Sequence, residues 1–363
     1  MAGQPVSEEQ AYFDRIGPQG SGPFKLDNGQ LYGVFDIPAL VNGGMNVAQR
    51  ENRDLTDATK PLAYGDAVYG AVDRVLVYFD GSDVTNGTFT QDALASIGTT
   101  GHAAHLSNLS LSGSGVAHFL RLERGQNMAR FIGKTVSMGI ILEHNIGSAK
   151  TVTLKIYETD TLNTFSSGNI TLISSSGGES VSDSTETWVK FEGVDLSSAD
   201  PGKGLVLEAE VDTGGISDKN IRITEWKLEE GPQCTPFVHE DEAVTRDRCT
   251  RYSLMLRAEA CSATSICHGM LTGGTSSRVL FNHPEMVQFV HSIEYSNVGH
   301  FGLSDKGAGK TVTGLSLSNA GPSPVCTRFD VTASGATFDA GDATHFDFLD
   351  TSGWLLLDAE YYT

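Results

Sequence analysis

Basic side chains are scarce in this chain. Its 25 Lys and Arg stand against 45 Asp and Glu, giving a formal net charge of -20. Such a surface repels nucleic-acid phosphates and anionic membranes, so neither nucleic-acid binding nor membrane insertion is expected. No apolar run approaches the ~18–20 residues that a spanning helix needs. Met1–Gln10 is polar and acidic, without the basic and apolar regions of a secretory leader, so release by lysis is expected rather than export. The cysteines are five: Cys234, Cys249, Cys261, Cys267 and Cys326. None forms Cys-x-x-Cys, which argues against a zinc site or a disulfide framework. Buried free thiols are expected, with Cys261 and Cys267 close enough in sequence to pair across a turn. No Gly-x-Ser-x-Gly elbow stands at a strand-to-helix junction, and Gly113-Ser114-Gly115 reads as a turn. No Gly-rich phosphate loop follows a strand into a helix.

What is abundant is turn-forming text. There are 41 Gly in 363 residues, and charged residues make up only 19%. This composition favours short strands joined by many turns, in two or three domains. Residues 1–40 read as an arm. Ser7–Ile16 has the form of a short helix capped by Ser7, and Gly17-Pro18-Gln19-Gly20-Ser21-Gly22-Pro23 breaks regular structure after it. From about Leu40 the text becomes β. Thr151–Tyr157 alternates, with Val152, Leu154 and Ile156 on one face. Leu205–Val211 and Ile221–Leu228 also read as strands. In the latter the apolar face switches after Ile223, which predicts a bulge or burial on both sides. Acids at the start of Glu240–Arg251 and arginines at its end predict a helical link. Strand-like text resumes through residues 255–363.

Several phrases occur in a telling order. They are Leu40-Val41-Asn42-Gly43-Gly44 leading to Gln49-Arg50, Asp73-Arg74-Val75, Gly133-Lys134-Thr135-Val136 and Glu186-Thr187-Trp188-Val189. Then come Ile223-Thr224-Glu225-Trp226-Lys227-Leu228-Glu229-Glu230-Gly231, Thr235-Pro236-Phe237, Cys249-Thr250-Arg251-Tyr252, His283-Pro284-Glu285-Met286, and Trp354 through Asp358-Ala359-Glu360. Together, over roughly residues 40–363, they resemble a phage tail-fibre module with a carbohydrate-binding-like jelly roll. The chain departs from that pattern in lacking an aromatic after Asp73-Arg74, and neither the insert Ser82–Gly115 nor the arm before residue 40 has a counterpart. The N-terminal arm (1–40), with so little core of its own, is expected to dock on the virion. The resemblance implies an all-β protein with a central jelly-roll β-sandwich (41–240). A linker (241–252) and a C-terminal β-sandwich-like domain (253–363) follow. It further implies a homotrimer on the virion, at the tail or another external appendage. Contact with tail or baseplate proteins would run through residues 1–40, and a host-surface glycan would be the ligand. A purely structural baseplate, head-fibre or decoration protein is the alternative. A glycan-depolymerising tailspike is less favoured, because no catalytic constellation can be named.

Candidate sites follow from chemistry. Sugar platforms need exposed aromatics backed by polar groups. Trp188, Trp226 and Trp354 sit in apolar strand text and read as core, which leaves the loop aromatics Tyr64, Tyr69 and Phe89 as candidates for surface recognition. No cofactor is expected. A structural calcium ion could draw oxygen ligands from Asn42-Gly43 and from Glu208, Glu210 or Asp212. His102 and His105 lack a third metal ligand, His239 pairs in sequence with Glu240, and the acids Glu229-Glu230 and Glu240-Asp241-Glu242 read as solvated edges.

Overall fold

The computed structural model describes residues 24–27, 30–33, 38–57, 60–258, 264–288, 290–305, 308–318, 323–335 and 339–360. The helix expected at Ser7–Ile16, the arm's expected contacts and Cys261 lie outside these residues. The chain divides into two compact units, Met1–Ala39 and Leu40–Thr363. In the first, β1 (Phe24–Asp27) and β2 (Gln30–Gly33) form an antiparallel hairpin.

The second unit is almost entirely β. Its first part contains β3 (Arg53–Asp54), β4 (Val68–Tyr69), β5 (Leu76–Asp92), β6 (Ala103–Arg124), β7 (Thr135–His144) and β8 (Lys150–Thr159). It continues with β9 (Ile170–Ser175), β10 (Glu179–Val181), β11 (Thr187–Asp195), β12 (Gly204–Asp212) and β13 (Ile216–Glu230). The insert between Ser82 and Gly115 forms much of β5 and β6, the two longest strands. β6 is shared: Val116–Arg124 pairs with β12, and Ala104–Leu111 pairs with β13. The network therefore splits into two halves, β9/β10-β8-β12-β6 and β6-β13-β7-β11, with β5 running beside β6 through both. Side chains from the two halves meet in the core. Phe89 contacts Phe119 edge-on at 6.5 Å, and the Arg121 guanidinium lies 5.9 Å from the Trp226 ring. This is the sandwich expected from the strand text.

The charged link is helical from Glu242 to Thr250. Asp241 caps it by accepting from the amides of Ala243 and Val244. Beyond it, β14 (Ser253–Arg257), β15 (Thr264–Gly273), β16 (Ser276–Asn282), β17 (Ser292–Tyr295) and β18 (Phe301–Asp305) begin the C-terminal part. β19 (Ala308–Leu317), β20 (Cys326–Ala333), β21 (Ala343–Phe348) and β22 (Trp354–Asp358) complete it. Six of these close into a barrel, β15-β16-β20-β19-β18-β21, while β14-β22-β17 forms a small separate sheet. Closure removes the exposed edges that an open sheet would leave. The barrel core, with Phe301 stacked on Phe346 at 5.3 Å, is continuous with Leu355, Leu357 and Ala359 of and beside β22. Cys234, Cys249, Cys267 and Cys326 are free thiols.

Candidate functional site

Strand alternation builds one polar, aromatic face. In the half-sheet of β5, β6, β12 and β8, Val77, Phe119, Leu207, Ala209, Leu154 and Ile156 are all fully buried on the core side. Their neighbours in sequence must point the other way. Register then aligns Tyr78 with His118, His118 with Glu210, and Glu210 with Thr153. One step along, Leu76, Leu120, Glu208 and Lys155 are aligned in the same manner.

Glu208 is the hub of this face. It accepts from His118 Nδ1 at 2.6 Å, from the Tyr157 hydroxyl at 2.7 Å and from the Tyr78 hydroxyl at 3.1 Å. Burial alone would push its carboxyl up, but the hydrogen bond and charge of His118 and the Tyr157 hydroxyl outweigh burial and hold it below its ordinary value. The same carboxylate, added to burial, holds the Tyr78 and Tyr157 hydroxyls firmly protonated as donors. The Tyr78 ring stacks on the His118 imidazole at 4.1 Å and 8°, fixing its plane. Tyr64 meets Tyr78 edge-on at 5.9 Å. Ala67, Leu76, Leu120, Leu122, Phe165 and Val206 form an apolar cluster at one end of the face.

His118, Glu208 and Glu210 are close enough to bind one metal ion. The Lys155 ammonium is hydrogen-bonded to Glu210 and lies 4.0 Å from Glu208. It supplies positive charge where a cation would otherwise be needed, so the donor set fits an internal ion-pair network better than a metal. Of the calcium ligands suggested by sequence, Glu208 and Glu210 are brought together here. Asn42 is engaged in its own loop, donating to the carbonyls of Val47 at 2.8 Å and Asp73 at 3.0 Å.

The aromatic candidates separate. Phe89 has no accessible surface. It belongs to β5 rather than to a loop, and a Cβ on Gly70 would lie 2.2 Å from its ring. Its ring is therefore a core filler, and the expected surface role is corrected. Tyr69 is partly exposed, but the Arg50 guanidinium stacks 4.3 Å from its ring centroid. Tyr64 and Tyr69 both pack against the apolar cluster at the end of the face, and Tyr64 also meets Tyr78. Trp226 is fully buried, whereas Trp188 is half-buried beneath the Lys190 ammonium at 3.8 Å. His239 contacts the Thr99 hydroxyl at 2.7 Å, and that hydroxyl also lies 2.6 Å from the Glu225 carboxylate. The acid here meets the hydroxyl and not the imidazole, so the trio lacks the order of a nucleophilic triad. Tyr78, His118, Lys155 and Tyr157 carry no motif in the sequence. The signal that could have found the face is Glu208-Ala209-Glu210, two acids on one side of an otherwise apolar strand.

A second cluster, whose charged side chains are buried, joins the sandwich to the C-terminal strands. Gln49 donates to Asp73 at 2.8 Å and to the Ser253 carbonyl at 3.2 Å. Arg50 bridges Asp358 at 3.0 Å and Glu360 at 3.2 Å. Arg74, in a left-handed conformation (φ 74°), binds Glu360, the Leu122 carbonyl and Glu123, and lies 3.9 Å from the Tyr252 ring centroid. Arg121 binds Glu123 at 3.3 Å and the carbonyls of Val41 and Asn42. Asn42, Gln49-Arg50, Asp73-Arg74, Tyr252 and Asp358-Ala359-Glu360, dispersed phrases of the sequence, thus converge in one place.

No protein-family model matches this chain, and no curated protein matches it. Among solved structures, it is similar to one described under the promiscuous specificity of carbohydrate-binding modules from the β-sandwich superfamily. There the identity is 11%, the coverage 44% of this chain and 58% of that one, and the TM-score 0.33. The match thus spans less than two thirds of that structure's length. A carbohydrate-binding module in complex with β-1,4-galactotriose is 11% identical, with 53% of this chain and 99% of that one covered and a TM-score of 0.28. The enzymatically active domain of bacteriophage CBA120 tailspike protein 4 is 15% identical, covering 44% of this chain and 19% of that one, with a TM-score of 0.29.

Proposed function

We propose that this protein is a non-enzymatic, glycan-binding subunit of a phage virion, tail-fibre-like or spike-like, assembled as a homotrimer and anchored through residues 1–40. The observation that carries glycan binding is the face built on Glu208. Half-exposed tyrosine rings there border a pre-ordered set of polar groups, Glu210, Lys155 and Thr153, which suits a ligand with apolar ring faces and many hydroxyls. Chemistry on a sugar would need a carboxyl free to donate a proton. Glu208 is instead held ionised by its three donors, and Glu210 is paired with Lys155. The virion assignment rests on the resemblance carried by the ordered phrases.

A purely structural virion role is the second reading. Its support is that many of those phrases are spent on the buried joint, where no ligand can reach.

The test is binding of full-length protein to host-surface polysaccharide, with mass measured by light scattering in the same buffer. A trimer is expected that binds glycan and loses at least about tenfold in affinity in a Lys155→Ala/Glu210→Ala variant, equivalent to one or two hydrogen bonds to charged groups. An oligomer that binds no glycan would leave the structural role. A monomer would remove the fibre-like assembly.

A further inference from the structure

We propose that the buried joint between the sandwich and the C-terminal strands is proton-operated: four carboxyl groups share three guanidiniums there, and Asp73 holds the one proton that balances them. This inference is independent of any glycan.

The carboxyls are Asp73, Glu123, Asp358 and Glu360, and the guanidiniums are those of Arg50, Arg74 and Arg121. Every one of these side chains is at most 8% exposed. An uncompensated charge in such a place is costly, and the group neutralises instead. Geometry selects Asp73. Glu360 is bound by both Arg50 and Arg74, Glu123 by both Arg74 and Arg121, and Asp358 by Arg50 at 3.0 Å. Asp73 has only Arg50 Nε, at 3.9 Å, and the neutral Gln49. The other groups facing the joint are Tyr69 of β4, Cys249 of the linker helix, Tyr252 just after it and Arg124 of β6. Arg124 is partly exposed, pairs with none of the four carboxyls and so stays outside their balance. None supplies a closer cation to Asp73. Burial pushes the Asp73 carboxyl up to about 7, against the pull of Arg50 and Gln49, while Arg74 and Arg50 hold Glu360 below its ordinary value.

The consequence is a joint that tightens on acidification. An acid raised in the closed state binds its proton more firmly there than when the joint is open. Its contribution is full below about 3.8, falls as pH rises and is gone above about 7. Glu360 has the opposite dependence, but only below its ordinary 4.5. Burial raises Asp358 as well, with the same sign as Asp73, but its bond to Arg50 at 3.0 Å leaves Asp73 the first to take up the proton.

Hydrogen exchange reads this directly at two joint amides, Asp73 N–H (bonded to the Val47 carbonyl) and Ala359 N–H (bonded to the Tyr252 carbonyl). In the full-length protein, corrected for intrinsic rates, their opening is expected to become easier by close to tenfold per pH unit from about pH 4.5 to 7, then to level off. Barrel amides around Phe329 should show no such slope. In Asp73→Asn, which leaves three carboxylates to three guanidiniums, the slope should vanish. If that variant does not fold, Asp358→Asn restores the same balance and should also be flat. Wild-type joint amides with pH-independent protection across this window would overturn the proposal, and so would a wild-type slope surviving in Asp73→Asn.

Discussion

Single residues decide which aromatic rings are available to a ligand. Phe89 lies beside Gly70 and Phe119 with no accessible surface, so truncating it would leave a cavity that the two sandwich halves cannot fill. Phe89→Ala is expected to lower stability by about 3–5 kcal/mol, the usual cost of removing a buried aromatic ring. Denaturant unfolding checks this, and a loss under 1 kcal/mol would return Phe89 to the surface. Sequence could not have separated it from Tyr64, since both are aromatics in turn-rich text. What separates them is the length of β5, which extends through Ser82–Asp92, a segment whose Ser, Thr, Asn and Gly content reads as loop. Those residues are held as strand by pairing with β6 rather than by their own propensity. By contrast, Glu208 and Glu210 were legible as a pair on one side of a strand. Their histidine and tyrosine partners come from three other strands and become visible only in the folded register.

At the scale of elements, the switch of apolar face after Ile223 was a legible sign of irregularity, and β13 carries it. Its register against β7 shifts between Thr224 and Lys227, and Glu225 adopts φ 51°, a left-handed conformation that an L side chain enters at a cost of roughly 1–2 kcal/mol. The bulge turns Glu225 toward the 97–100 turn, where its carboxylate accepts from both the amide and the hydroxyl of Thr99. Two opposing terms meet in Glu225→Gly. Glycine relieves the backbone, but the two bonds to a buried carboxylate are lost, each worth about 1.5–3 kcal/mol. The bonds should win, so a net loss of about 1–5 kcal/mol is expected, with faster exchange of the Thr99 amide. A variant more stable than wild type would mean that strain, and not the Thr99 contact, dominates at this bulge. The linker helix was readable for a simpler reason, since its cap, acids and arginines are all local in sequence. The barrel was not readable, because closure depends on β15 meeting β21 across about 80 residues of chain, beyond the reach of any local pattern.

For the molecule as a whole, the joint determines whether the sandwich and the C-terminal strands behave as one body. Its longest-range ion pairs connect positions 286 to 310 residues apart in sequence, which is why phrases at opposite ends of the chain looked unrelated until the fold brought them together. Residues Leu40–Thr363 form one compact unit although the barrel and the sandwich pack separate apolar clusters, and the contacts uniting them include the linker helix and Glu360. Glu360 bridges Arg50 and Arg74, so Glu360→Ala would break two buried pairs at once and leave Arg50 on Asp358 and Arg74 on Glu123 alone. Breaking a buried pair from one side typically costs about 3–5 kcal/mol, far more than the intact pair contributes against an apolar replacement. Wild-type protein is expected to unfold in a single thermal transition over this unit, because neither part can open without exposing the other's charges. In Glu360→Ala the sandwich and the barrel lose that coupling, and calorimetry should resolve two transitions, with the earlier one several degrees below the wild-type midpoint. One transition shifted as a unit would instead place the coupling in the apolar contacts of Val41, Val47, Cys249 and Tyr252, which Glu360→Ala leaves intact.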